Sequence, residues 1–275
     1  MSQVHNLIRV AIQCAGVGLT IIAVPFLSSC GGPPAADAQS STGDRNAEIV
    51  VSAAADLYPV LEELAPLLEK ETGLTLKTNI GSTGQLTEQI AAGARVDVFL
   101  AASTSAIDQL RQKDLLVPGS DRVYARGRLV MWTRSGDRVG VKTVLDLVGE
   151  QVSRISIANP DHAPYGRAAR EALQSAGLWD QLQPKLVPAE NVRQAFQFAE
   201  SGNTDVGLVA LSLVVFAGGR YALVPEELHE PIDQALAIIA GSTHQSEAKQ
   251  FIAYLTGEKG REILLRYGFV LPDEA

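Results

Sequence analysis

Hydrophobic positions along this chain change period repeatedly. Glu48–Ala53 is a short apolar run suited to a buried parallel strand, and Leu57, Val60, Leu61, Leu64, Leu67 and Leu68 then recur at helical spacing. Leu74–Asn79 predicts a second strand, Gln85–Ala92 a helix, Val96–Ala101 a third strand, Ser103–Lys113 a helix and Arg128–Thr133 a strand. A second series follows: strand Arg154–Ala158, helix Gly166–Ala176, strand Lys185–Val187, helix Val192–Ser201 and strand Asp205–Ala210. Ala235–Ala240 predicts one more strand, with helices over Gln245–Leu255 and Lys259–Tyr267 that most economically return to the first series. Such alternation predicts α/β architecture with mainly parallel sheets.

The first 46 residues break this pattern. Residues 1–29 hold one basic residue, Arg9, and no acid, and an apolar run extends from Val10 to Leu27. That is the layout of a signal peptide. The run ends in Leu27-Ser28-Ser29-Cys30, which resembles the lipobox of bacterial lipoproteins, where cleavage precedes a cysteine that receives lipid. Cys30 is therefore the expected lipidation site, since two or three acyl chains anchor a protein stably. An uncleaved membrane span is the alternative, and both readings put the body outside the cytoplasm, in the periplasm or at the cell surface. Residues 30–46 are small, polar and rich in Gly, Pro and Ser, a flexible tether after the lipidated cysteine.

Composition narrows the partners. The 275 residues carry a formal net charge of −8, which argues against nucleic acid and leaves the lipid anchor as the only membrane attachment. The two cysteines, Cys14 and Cys30, both lie in the leader region, so no pair remains for a disulfide in the body. His5, His162, His229 and His244 are scattered, which gives no pattern for a metal site. Ser52 has no nucleophile elbow around it and the Gly81-Ser82-Thr83-Gly84 segment lacks the lysine of a P-loop. No cofactor and no enzymatic activity are expected. Asp97 reads as a structural acceptor, and Arg128, Arg167 and Arg193 as members of surface pairs.

An acidic protein that captures an anion must do so with local donors. Open α/β sheets bind ligands beyond the carboxyl ends of their strands, where helix N-termini present unpaired amides and partial positive charge. Four strand-to-helix junctions fit: Ala53-Ala54-Ala55-Asp56-Leu57, Gly81-Ser82-Thr83-Gly84-Gln85, Asn159 to Gly166, and Pro188-Ala189-Glu190-Asn191-Val192. Alanines admit a ligand close to the backbone, glycines allow tight turns, and Asp56 is a good N-cap.

The ordered set SAAADL, GSTGQLTEQIAAGARVDVFLAA, ANPDHAPYGRAAREAL and PAENVRQA resembles the molybdate-binding proteins of ABC transporters, over about residues 48–270. The resemblance implies a two-lobe periplasmic-binding-protein fold, type II-like, with two α/β lobes joined by a double-crossover hinge. Lobe 1 would comprise 47–126 plus 232–275 and lobe 2 127–231, with crossings near Gly127 and Pro231. It implies a monomer that captures molybdate or tungstate for an ABC transporter permease, the molybdenum being met only as its oxyanion and never by direct metal ligands. Carried over by position, the oxyanion-binding residues are Asp56, Thr83, Tyr165 and Val192, with Ala55, Ser82 and Ser212 as additional contacts. Asp56 stands where better-known members have serine, so its carboxylate is expected to turn away and cap its helix. Ala210 stands where they have a ligand-binding tyrosine, and Ser212 and the Tyr165 phenol are the groups that could replace that hydroxyl. These two departures keep another small anion (sulfate, phosphate or an organic acid) as the alternative ligand. An extracellular hydrolase would need a nucleophile–base pair that the sequence does not offer.

Overall fold

The structure, a computed structural model, describes residues 47–137 and 139–272. The signal peptide expected over 1–29, the expected lipidation site Cys30 and the tether expected to residue 46 lie outside the described residues. In chain order the elements are β1 (Ala47–Ala54), α1 (Tyr58–Thr72), β2 (Leu74–Gly81), α2 (Thr83–Ala91), β3 (Val98–Ala101), α3 (Thr104–Arg111) and β4 (Arg122–Gly127). There follow β5 (Leu129–Thr133), β6 (Ile155–Ala158), α4 (Pro164–Ser175), α5 (Trp179–Leu182), β7 (Leu186–Ala189), α6 (Val192–Glu200), β8 (Val206–Ala210), α7 (Leu211–Val214) and β9 (Arg220–Leu223). The chain ends with β10 (Ile232–Ile238), α8 (Gln245–Thr256) and α9 (Glu258–Arg266).

The strands form two five-stranded sheets, β2-β1-β3-β10-β4 and β7-β6-β8-β5-β9. The fold is the two-lobed α/β architecture expected, one sheet to a lobe. The chain leaves the first sheet at Gly127 and enters the second at Leu129, then returns between β9 and β10. Strand alternation explains how each sheet buries both faces. In β3, Val98 and Leu100 join the core built with α1, α8 and α9, whereas Phe99 and Ala101 join the one built with α2 and α3. Residues of β5, β6 and β8 share a third core with α4 and α6.

The expectation of mainly parallel sheets needs correction. β1 pairs in parallel with β2 and β3, and β6 with β7 and β8. β10 runs antiparallel to β3 and β4, and β5 runs antiparallel to β8 and β9. The cause is the double crossing: β5 and β10 are the strands that enter a sheet from the opposite lobe, so neither follows a right-handed βαβ turn. β4 and β9, edge strands with exposed arginines, had no apolar alternation to betray them.

Candidate functional site

The helices that follow β1, β2, β6 and β7 all begin at the gap between the sheets. α1 is preceded by a single 3-10 turn, Ala55–Leu57. Thr83 is the first residue of α2, Tyr165 the second of α4 and Val192 the first of α6. An amide in the first turn of a helix has no intrahelical acceptor. Those of Thr83, Tyr165 and Val192 have none elsewhere among the described residues. Asn191 caps α6 by accepting the Gln194 N–H at 3.0 Å, which leaves the Val192 amide open.

These termini converge on one small cavity of about 10 Å³, room for about one water molecule. Ala54, Ala55, Asp56, Gly81, Ser82 and Thr83 line it from the first sheet, with Ala102 behind β3. Ala163, Pro164, Tyr165, Asn191 and Val192 line it from the second. Among the described residues, the cavity wall contains no lysine, arginine or histidine. Thr83 Oγ1 accepts the Ala102 N–H at 3.1 Å, so its own proton remains to be donated.

Six of the seven residues expected at the site therefore lie together: Ala55, Asp56, Ser82, Thr83, Tyr165 and Val192. Ser212 is the exception and a correction. It is buried outside the cavity wall, and its hydroxyl donates to the Asp56 carbonyl at 2.7 Å. The Tyr165 phenol is no substitute for the absent tyrosine either, because it donates to Asp56 Oδ2 at 3.0 Å. Ser82 reaches the cavity, but its hydroxyl donates to the His162 carbonyl at 2.8 Å and meets His162 Nδ1 at 2.7 Å. Beside it the Gly84 N–H donates to the same carbonyl at 2.9 Å. A Cβ on Gly84 would lie 2.6 Å from that oxygen, so only glycine lets the sheets approach this closely.

Asp56 departs furthest from expectation. Its side chain makes no cap hydrogen bond; fully buried, it accepts from Tyr165 and, at 2.8 Å, from Gln234 Nε2. Capping lost because two donors, Tyr165 of α4 and Gln234 of β10, converge on the carboxyl. Burial raises its pKa from 3.8 to about 7, against the opposing pull of the Tyr165 hydroxyl, its own backbone amide and Gln234. Burial, and then the nearby carboxyl, push the Tyr165 and Tyr124 phenols well above their ordinary value. Gly127, at the first crossing, is where the Tyr165 ring enters; a Cβ there would overlap its hydroxyl.

The arginines near the junctions have other partners. Arg128 lies 3.3 Å from Glu226, Arg167 donates to Ser103 at 3.4 Å, and Arg193 sits 3.5 Å over the Tyr58 ring. Asp97 accepts the Val50 N–H at 2.7 Å, a structural acceptor as read from sequence. Sequence reasoning missed Gln234 and Ala102. A glutamine immediately before the apolar run of β10 was a signal for the first. For the second, the turn after β3 is one more strand-to-helix junction made of small residues.

A family described as bacterial extracellular solute-binding protein matches residues 49–270. The molybdate-binding protein ModA of Rhodobacter capsulatus is 35% identical over 224 residues, 81% of this chain and 88% of that protein. ModA of Azotobacter vinelandii is 36% identical over 229 residues, 82% of this chain and 90% of the other. The solved structure of the Azotobacter vinelandii periplasmic molybdate-binding protein superposes with a TM-score of 0.78 at 33% identity, covering 82% of this chain and 99% of that one.

Proposed function

Because this chain belongs to the bacterial extracellular solute-binding proteins, among the molybdate-binding proteins of ABC transporters, we propose that it captures molybdate, or tungstate, outside the cytoplasm for an ABC importer. The observation that carries the reading is the meeting of three open helix N-terminal amides, from Thr83, Tyr165 and Val192, around one cavity with no cation in its wall. Amides aimed at a desolvated oxyanion give charge-assisted hydrogen bonds, roughly twice as strong as neutral ones. They also leave no fixed cation to hold the ligand when the lobes part. The Thr83 hydroxyl adds a side-chain donor, and the small Ala54, Ala55 and Ala102 let the anion reach the backbone.

The lobes of this reading are 47–126 with 232–275, and 127–231. The cavity is closed in by residues of both sheets, so an anion enters and leaves as the walls part and reclose, a hinge motion about the two crossings. Selection against sulfate rests on the size of the reclosed cavity. The loaded, closed monomer is what the permease recognises. Calorimetry tests the ligand: heat with molybdate and tungstate and little with sulfate or phosphate is expected. Heat with another solute and none with molybdate or tungstate refutes the assignment.

Anchoring through Cys30 completes the reading, supported by the Leu27-Ser28-Ser29-Cys30 sequence. Cys30→Ala is expected to leave the protein unlipidated, which acyl labelling in the producing cells measures. Unchanged labelling refutes it.

A further inference from the structure

Asp56 lies in the wall of the cavity and is fully buried. Its two carboxyl oxygens are unequal. Oδ2 accepts from two groups, the Tyr165 hydroxyl of α4 and the Gln234 amide of β10. Oδ1 makes no well-formed hydrogen bond among the described residues, the residue's own backbone amide being the one further group that pulls on the carboxyl. A buried oxygen without a partner has lost its water and gained nothing in return, which native structures rarely tolerate.

The groups facing this carboxyl are all neutral. They are the Tyr165 phenol from α4, the Gln234 amide from β10, the Tyr124 phenol from β4 and the Ser212 hydroxyl from α7, the last bound to the Asp56 carbonyl. Among the described residues, no arginine, lysine or histidine stands at this carboxyl to hold its charge. An ionised carboxyl on a residue of that wall would repel the dianion that the amides attract. A protonated one would instead add a fifth donor to the three open amides and the Thr83 hydroxyl.

We propose, on the basis of the oxyanion reading above, that Asp56 meets the ligand as a neutral acid, its Oδ1–H donating to an anion oxygen, so that whatever fraction of the protein is ionised at Asp56 takes a proton from solvent as the dianion binds. Oδ2 is already occupied as an acceptor by two donors, which assigns the proton to Oδ1. The ligand-free carboxyl, held to about 7 by burial, is partly ionised near neutrality, and the arriving dianion draws the proton on. Capture is then linked to pH: above about 7, the affinity falls about tenfold per pH unit, because the competent protein is the protonated fraction.

The test is calorimetry of sodium molybdate binding to the protein at about pH 8, in buffers of different ionisation enthalpy, with affinities followed from about pH 6 to 9. Molybdate stays a dianion over this range, so the ligand contributes no proton. The wild type should take up about 0.9 proton per anion at pH 8, the ionised fraction of a group titrating near 7. Asp56→Asn keeps one acceptor for Tyr165 and Gln234 and presents an N–H donor where the acid had O–H. It should take up no proton, show a flat affinity profile, and bind about tenfold or more tighter than the wild type at pH 9.

Molybdate binding without proton uptake, or tighter binding as pH rises, overturns the proposal and leaves the oxyanion reading standing. Uptake that persists in Asp56→Asn assigns the proton to another group and equally overturns it. Failure of the wild type to bind molybdate at any pH overturns both. Should Asp56→Asn not fold, the wild-type proton count and pH slope decide alone.

Discussion

Removing the ionisable group at Asp56 should change how the ligand-free protein responds to pH. The carboxyl titrates near 3.8 when unfolded and near 7 when folded, because burial strips water from the charged form. A raised pKa means that the folded state holds the proton more tightly. The associated stability is fully present below about 3.8 and is lost as pH rises through about 7. The difference is about 3 units, or about 4 kcal/mol in all at 1.36 kcal/mol per unit. Between pH 5 and pH 8 the portion lost is about 3 kcal/mol, with most of it gone by pH 7.

Asn at position 56 has nothing to ionise, so the variant should lack this slope. Urea unfolding at intervals from pH 5 to 8 measures it directly, and the gap between variant and wild type should shift by about 3 kcal/mol in favour of the variant as pH rises. In thermal melts a shift of that size is about 6–12 °C for a body of this length. Stability curves that stay parallel over the whole range would mean that the folded carboxyl is not raised. The account of Asp56 as a buried group without a cation would then be wrong.

Three further outcomes follow from the site. Thr83→Ala keeps the helix N-terminal amide but removes the hydroxyl and the acceptor for Ala102, and should weaken molybdate binding by about 1–2 kcal/mol, or roughly tenfold, by calorimetry. Gly84→Ala puts a methyl group 2.6 Å from the His162 carbonyl and should hold the lobes apart, read as a larger radius of gyration with ligand present and as weaker binding. Tyr165→Phe leaves the backbone donor in place but removes the hydroxyl from Asp56 Oδ2; it should lower stability at pH 8 by about 1.5–3 kcal/mol, and raise the Asp56 titration further, visible in the pH dependence of unfolding.

What the sequence made legible was whatever depends on local periodicity and on small-residue turns. α1 was visible as leucines at helical spacing, and the four junctions as alanines, glycines and hydroxyls before a helical run. Ala55, Asp56, Ser82, Thr83, Tyr165 and Val192 line one cavity because each belongs to such a junction. Illegible were features set by partners far away in the chain. The direction of β5 and β10 depends on where each strand comes from, not on its own residues. Asp56 has the local character of an N-cap, yet its side chain is fixed by Gln234, 178 positions away, and by Tyr165, 109 positions away. Ser212 looked free to face a ligand, and its commitment to the Asp56 carbonyl, 156 positions away, has no local trace.

Asp56 joins the two halves of the molecule as well as walling the cavity. Its carboxyl receives Gln234 of β10 and Tyr165 of α4, and its carbonyl receives Ser212 of α7. Any separation of the sheets that admits an anion must lengthen the Tyr165 and Ser212 bonds or carry both residues along with the turn. The same motion must release Gly84 and Ser82 from His162. Buried hydrogen bonds that break only on opening hold the lobes together while the site is empty, and water entering the opened cleft compensates most of their loss, at about 0.5–1.5 kcal/mol net per bond. Closure is thus stable without being locked, which suits a protein that must give its ligand up to a transporter. Replacing the cross-lobe donors one at a time should loosen the empty form in steps of that size, whereas a cation in the cavity wall would have tightened the loaded form alone.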